Sequence, residues 1–239
     1  QGGWKLDLDA LQRLVTSRTR LVVVNFPHNP TGCLPSLEEW QALVEAVARV
    51  GCWLFSDEMY RGLEYDEAAR LPSGADSYER AISLGGLSKS YGLPGLRTGW
   101  LALQDASLRE RVVGWKDYTT ICASAPSEAL AEVALAAGTR LLARSRQLVA
   151  DNLALAGPFF ARWGERFRWI PPQAGSVALV GLNEGSAEAF CGDLVTEQGV
   201  LLLPSTGLGF GDGHVRFGFG RKGFPQALRE LEAYLSKSA

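Results

Sequence analysis

Methionine and histidine are nearly missing from this sequence, and lysine is scarce. The one methionine is Met59 and residue 1 is Gln, so position 1 is read as something other than a native start. Two histidines, His28 and His214, and four cysteines at 33, 52, 122 and 191 include no Cys-x-x-Cys pair. A zinc site needs clustered ligands, so no metal is expected. Wide, irregular cysteine spacing in a chain of 239 residues fits reduced thiols and a cytoplasmic protein. No signal peptide is visible at the N-terminus. No apolar run approaches the roughly 20 residues that span a bilayer. Lys and Arg form no run and the formal net charge is −2, so neither nucleic acid nor membrane is an expected partner. With 46% hydrophobic and 21% charged residues, disorder, collagen and a disulfide scaffold are excluded. What is present is enough apolar material for one sizeable domain, or for a large and a small one.

The hydrophobic pattern alternates between two periods. Residues 6–18 read as an amphipathic helix with Leu8, Leu11, Leu14 and Val15 on one face. Leu21–Asn25 is a short continuous apolar run, expected as a strand buried on both faces. Pro27, Asn29, Pro30 and Gly32 then impose a loop. Ser36 and Glu39 form a capping box that opens a helix to about Val50. Cys52–Phe55 and Ala81–Leu84 are further buried strands, and Thr98–Leu103 is a candidate for one more. Strands alternating with helices imply βαβ units, an α/β fold and a mostly parallel sheet. Ser127 to about Phe160 is helical, with a break at Gly138. After Pro171-Pro172 come short strands at Ser176–Val180, Val200–Leu203 and His214–Gly218, then a terminal helix over Pro225–Leu235. The glycines from Gly207 to Gly211 read as a turn. The expected division is a large α/β domain over 1–125, a connecting helix over 126–160 and a smaller α+β domain over 161–239.

Ligands of open parallel sheets bind at the carboxyl ends of the strands. The first strand is followed by Asn29-Pro30-Thr31-Gly32, the second by Ser56-Asp57-Glu58-Met59-Tyr60, the third by Gly85-Gly86-Leu87-Ser88-Lys89-Ser90-Tyr91-Gly92. These ends are expected to converge. Lys89 is one of only five lysines and sits where a strand runs out among Gly, Ser and apolar residues. A lysine held there, partly desolvated, is expected to have a lowered pKa and to serve as an amine nucleophile; most lysines are simply solvated. Asp57 reads either as a helix N-cap or as the counter-ion of a protonated ring nitrogen. Tyr60 reads either as a core aromatic with a bonded hydroxyl or as a neighbour of that carboxylate. Arg97 and Arg216 are candidates to grip carboxylate or phosphate bidentately.

Asn29–Gly32, Ser56–Tyr60, Ser88–Arg97 and Val215–Phe217, in this order and spacing, resemble the class I/II aminotransferases, the fold-type-I enzymes dependent on pyridoxal phosphate. The resemblance covers essentially the whole chain. It implies a mostly parallel large domain and a smaller α+β domain. It further implies transamination between an L-amino acid and a 2-oxo acid through a Lys89 internal aldimine. In that family's pattern Lys89 also shuttles the proton between the substrate Cα and the cofactor C4′, and Asp57 pairs with the pyridine nitrogen. Asn29 and Tyr60 bond the ring oxygen, and Ser88 and Arg97 hold the phosphate. Arg216, with Asn29 beside it, clamps the substrate α-carboxylate. A homodimer with shared active sites is implied as well. Two departures are visible. Many relatives carry Ser or Thr where this chain has Gly86. The family's glycine-containing phosphate loop and its ring-stacking aromatic are expected before residue 1, so the chain is read as the C-terminal three-fifths or so of a larger enzyme. Other pyridoxal phosphate reactions (elimination, replacement, cyclisation, oxidation) share the same motifs and stay open, as does a non-catalytic fragment or relative.

Overall fold

In the computed structural model, residues 3–237 are described; Gln1 lies outside them. Two four-stranded sheets organise the chain. The first has the order β1 (Leu21–Asn25), β2 (Trp53–Asp57), β3 (Ala81–Gly86), β4 (Gly99–Leu103). β1–β2 and β2–β3 are parallel, whereas β4 is antiparallel to β3. Its helices are α1 (Leu8–Leu14), α2 (Leu37–Val50) and the single turn α3 (Gly74–Ser77). The second sheet has the order β5 (Phe167–Arg168), β6 (Val177–Leu182), β8 (His214–Gly218), β7 (Leu203–Pro204), all antiparallel. Between the sheets run α4 (Ala106–Thr119), α5 (Ala125–Ala136) and α6 (Gly138–Arg162). α7 (Ala187–Gln198) and α8 (Phe224–Lys237) pack on the second sheet.

Helix α2 shows how closely local signals set these elements. The Ser36 hydroxyl accepts from the Glu39 amide at 3.1 Å while Glu39 Oε2 accepts from the Ser36 amide at 2.8 Å. Two otherwise orphaned donors are thereby satisfied. Trp40, Leu43 and Val47 repeat at helical spacing and pack against Leu54 and Ala81. Each such burial contributes about 1.5–3 kcal/mol. The helix stops at Gly51, whose left-handed backbone (φ 68°) ends the hydrogen-bond ladder. The second core is aromatic: Phe160, Phe167, Phe217 and Phe219 meet under α6, α7 and α8.

Several expectations are corrected. Helix 6–18 shortens to Leu8–Leu14, started by Asp7, whose carboxylate accepts from the Ala10 amide. β1 is not buried on both faces: Leu21 is 48% and Val23 64% exposed. β1 is the sheet edge and nothing among the described residues covers Val23. β2 and β3 run two residues further than expected, so Asp57 ends a strand rather than following one. Val200–Leu203 contributes only Leu203 to a strand, because Leu201 points to solvent. Helices α4 and α7 were not expected at all. The Gly207–Gly211 stretch is a turn, with Gly209 and Gly211 left-handed after a 3-10 turn over Ser205–Leu208. Among the described residues no helix is long and apolar enough to cross a membrane.

Candidate active site

The parallel strands end side by side. Asn25 is in register with Asp57, and its amide Nδ2 donates to the Asp57 carbonyl at 3.0 Å. Asn25 Oδ1 accepts from the Asn29 amide at 2.7 Å. One side chain therefore ties the first strand end to the second and folds the loop that carries Asn29. Sequence reading assigned Asn25 no role, although a polar residue closing an apolar run was the available signal. Within that loop the peptides before Pro27 and Pro30 are cis. Thr31 Oγ1 lies 2.7 Å from His28 Nδ1 and accepts from the Cys33 amide at 3.2 Å.

The loop is braced against the second sheet. Gly32 adopts φ 69°, and a Cβ there would lie 2.2 Å from Pro172 Cβ. Its carbonyl accepts from the amides of Gln173 and Ala174. Glu64 and Ala174 form an isolated bridge, and the Tyr65 hydroxyl donates to the Gly175 carbonyl at 3.0 Å. This bracing brings β8 to the loop, where Arg216 Nη1 donates to Asn29 Oδ1 at 3.1 Å.

Asp57 Oδ1 accepts from the Met59 amide at 3.0 Å, which turns the chain sharply after β2. The helix N-cap reading of Asp57 is thus replaced by a two-residue turn. Tyr60, 5% exposed, follows. Burial pushes its phenol above the ordinary value; the Arg216 guanidinium opposes this and the Asp57 carboxylate adds to it. Both charges therefore act on one hydroxyl. Lys89 Nζ lies 6.0 Å from the centre of the Tyr60 ring. So Asn29, Asp57, Tyr60, Lys89 and Arg216 come together from three strand ends of one sheet and one strand of the other.

Ser88 and Arg97 are less integrated. Ser88 is half-buried beside Lys89. Arg97 is exposed, left-handed (φ 53°), and donates to the Pro94 carbonyl of its own loop at 2.9 Å. Lys89 is exposed in the described chain rather than desolvated as expected. Its amine stands over the Tyr60 ring, 6.0 Å from the centre, and is otherwise open to solvent on the exposed side of the turn. The Gly86 departure has a physical reason. A Cβ at that position would lie 3.0 Å from Met59 Sδ and 3.1 Å from Met59 Cε, so the thioether occupies the space a larger residue would take.

The site and the sheets now have relatives to set beside them. The aminotransferase class I and II family model matches residues 1–231. The chain belongs to that family, and its fold is fold type I. Among curated proteins it is 31% identical to capreomycidine synthase of Streptomyces vinaceus, over 92% of this chain and 56% of that protein. Among solved structures, a PLP-dependent aminotransferase from Streptococcus suis matches with TM-score 0.90 and 32% identity, over 98% of this chain and 62% of that one. The PLP-dependent cyclase OrfR matches with TM-score 0.88 and 34% identity, over 98% and 63%. The chain thus spans somewhat more than half the length of the proteins it matches.

Proposed function

We propose that this chain carries the catalytic lysine, ring-nitrogen partner and carboxylate clamp of a pyridoxal-phosphate-dependent aminotransferase. The reaction is transfer of an amino group between an L-amino acid and a 2-oxo acid. The observation that carries the reading is the convergence of Lys89, Asp57 and Tyr60 with the Asn29–Arg216 pair. The donor set fits the cofactor: an amine for its aldehyde, a carboxylate for its ring nitrogen, and a serine and an arginine for its phosphate. When bound, pyridoxal phosphate supplies the electron sink for the substrate's Cα electrons. The chain supplies the rest. Lys89 Nζ would anchor the cofactor through its aldehyde carbon and would then carry the proton from the substrate Cα to the cofactor's C4′. The Asp57 carboxylate keeps a positive charge on the ring nitrogen. Arg216, held by Asn29, grips the substrate α-carboxylate and so fixes which Cα bond faces Lys89. Ser88 and Arg97 hold the phosphate, with Asn29 and Tyr60 on the ring oxygen.

The same proposal includes the division into a cofactor domain over 1–125, a connecting helix over 126–160 and a small domain over 161–239, which two separate sheets support. It includes a homodimer: α4 has no buried residue, and Trp115, Tyr118 and Ile121 are 68%, 87% and 75% exposed. It includes the cytoplasm, in keeping with four unpaired cysteines. The exposure of Lys89 and Arg97 supports weak cofactor binding by this chain alone.

The test is borohydride reduction of the chain with pyridoxal phosphate, followed by peptide mapping. Label confined to Lys89, substoichiometric and lost in Lys89→Ala, is the expected result; equal label on the other lysines refutes the reading. An amino acid added without oxo acid then converts the cofactor to its amine form if the reaction is transamination. Ammonia release with the aldehyde form regained selects a second reading, an elimination or cyclisation. That reading is favoured by the likeness to the PLP-dependent cyclase OrfR.

A further inference from the structure

The motif around Lys89 contains a residue to which that reading gives no role. Ser90 is 1% exposed, and its hydroxyl donates to the Met59 carbonyl at 3.0 Å. The amide of the same residue, Met59, donates to Asp57 Oδ1. The Met59 residue is thus held at both ends: one end by the carboxylate of the Asp57 turn, the other by the neighbour of Lys89. Its side chain is held too, because the thioether lies against Gly86 at the end of β3. The Lys89 turn is also tied outward at its flanks, where Leu87 N donates to the Thr98 carbonyl at 3.1 Å and Arg144 Nη2 donates to the Tyr91 carbonyl at 3.4 Å. Gly92 N donates to the Lys89 carbonyl at 3.0 Å, Leu93 N to the Leu87 carbonyl at 2.9 Å, and Leu87 seats the turn on α5. The Asp57 turn is tied to β3 through Glu58, whose amide donates to the Leu84 carbonyl at 2.9 Å and whose Oε1 accepts from Ser83 Oγ at 2.7 Å; past Glu58, the Ser90–Met59 bond links that turn directly to the Lys89 turn.

We propose that Ser90 is a positioning residue: its hydroxyl locks the Lys89 turn to the Asp57 turn through Met59. The lock fixes where the amine of Lys89 stands relative to the carboxylate of Asp57. This rests on the functional reading above in one respect, the meaning of that placement; the lock itself is a property of the fold. A buried hydroxyl in the lysine turn, facing inward while Lys89 faces out, is a geometric constraint on the lysine without contact to any reacting atom. Placement errors of about an ångström are costly in such chemistry.

The test compares wild type, Ser90→Ala and Ser90→Thr. One arm measures amide exchange at Met59 without cofactor. The other measures the rate of borohydride-trapped pyridoxal phosphate label at Lys89, with exposed Lys116 as internal control. Ser90→Ala frees the Met59 carbonyl and so loosens the turn in which Asp57 holds the Met59 amide; exchange of that amide is expected to speed about fivefold, the scale of one hydrogen bond's contribution to the stability of the turn, while amides of α2 hold. It is expected to slow Lys89 labelling on the order of tenfold with Lys116 unchanged. Ser90→Thr keeps the hydroxyl and restores both. Unchanged Met59 exchange in Ser90→Ala overturns the lock. Faster exchange with unchanged Lys89 labelling overturns the positioning role and leaves a structural hydrogen bond. No Lys89 label in wild type, with faster exchange in the variant, sinks the functional reading and keeps the lock. Should Ser90→Ala fail to fold, Ser90→Cys, a near-isostere with a poor donor, is read by the same criteria.

Discussion

Replacing Gly32 by alanine tests whether the Asn29 loop is braced against the second sheet as the geometry states. Two costs add. The backbone at φ 69° is left-handed, a conformation that costs a residue bearing a Cβ about 1–2 kcal/mol. The new methyl would lie 2.2 Å from Pro172 Cβ and 3.0 Å from both Pro172 Cα and the Val177 carbonyl oxygen. Pro172 cannot swing away, because Gln173 and Ala174 next to it donate to the Gly32 carbonyl. Overpacking of this kind costs about 1–3 kcal/mol. The sum is about 2–5 kcal/mol, and for a chain of this size each kcal/mol moves Tm by about 2–4 °C. Urea unfolding followed by fluorescence of the seven tryptophans measures it. Gly95→Ala is the control: no atom lies within 4 Å of its Cβ position and its backbone is ordinary, so it stays within about 0.5 kcal/mol of wild type. A Gly32→Ala variant within about 1 kcal/mol of wild type refutes the reasoning, since a loop that relaxes so easily does not hold Asn29 to Arg216.

Three further outcomes are expected. Burial pushes the Cys33 and Cys191 thiols up to about 11 and raises that of Cys52, whereas Cys122 is exposed. Thiol titration of the native chain near pH 8 therefore shows one fast thiol, removed by Cys122→Ser; two equally fast thiols contradict this. Both histidines are held below the ordinary 6.5, His28 by burial and His214 by burial and then Arg168. The folded chain disfavours imidazolium, so this stability is present above pH 6.5 and lost as pH falls below it. The unfolding midpoint drops between pH 7.5 and 5.5, and the drop shrinks in His28→Gln; a rise on acidification contradicts the sign. Glu58 Oε1 accepts from Ser73 Oγ, Gly74 N and Ser83 Oγ at 3.0, 2.8 and 2.7 Å. Glu58→Ala strands these donors and costs about 3 kcal/mol or more, and Glu58→Gln recovers most of it; equal stability of Ala and Gln variants rules the network out.

The parts legible in the sequence were those written in local chemistry. The Ser36–Glu39 box, the Gly51 stop and the strands around Phe55 and Ile82 need only neighbours in the chain. The site was legible because Asn29, Asp57, Tyr60 and Lys89 lie at or just past the ends of β1, β2 and β3, and parallel pairing of β1, β2 and β3 carries those ends to one edge. Arg216 was legible by composition, but its bond to Asn29 joins residues 187 positions apart and depends on the Gly32–Pro172 contact, which no pattern announces. Helix α7 was missed because Ala187, Cys191 and Leu194 make a weak apolar stripe, although Ser186 and Gly199 cap it. Helix α4 was missed because it buries no residue and so has no stripe to find. The apolar run Leu21–Val24 reported what a strand tolerates on its two faces. It did not report whether anything covers them, and Val23 lies open.

That open strand has a consequence for handling the molecule. β1 bonds to β2 along one side, and among the described residues no strand pairs with its other side. Its outer row of amide and carbonyl groups is a template flanked by Leu21 and Val23, with no charge between Arg20 and Asp57's neighbour Asn25 to discourage pairing. An edge of this kind would let two copies pair in opposite directions, joining two four-stranded sheets into one of eight. Pairing at this edge requires no unfolding, so light scattering of the folded chain is expected to rise with concentration below the unfolding temperature. A lysine placed at Val23 removes the template's apolar margin and leaves the candidate site, on the strand ends, untouched.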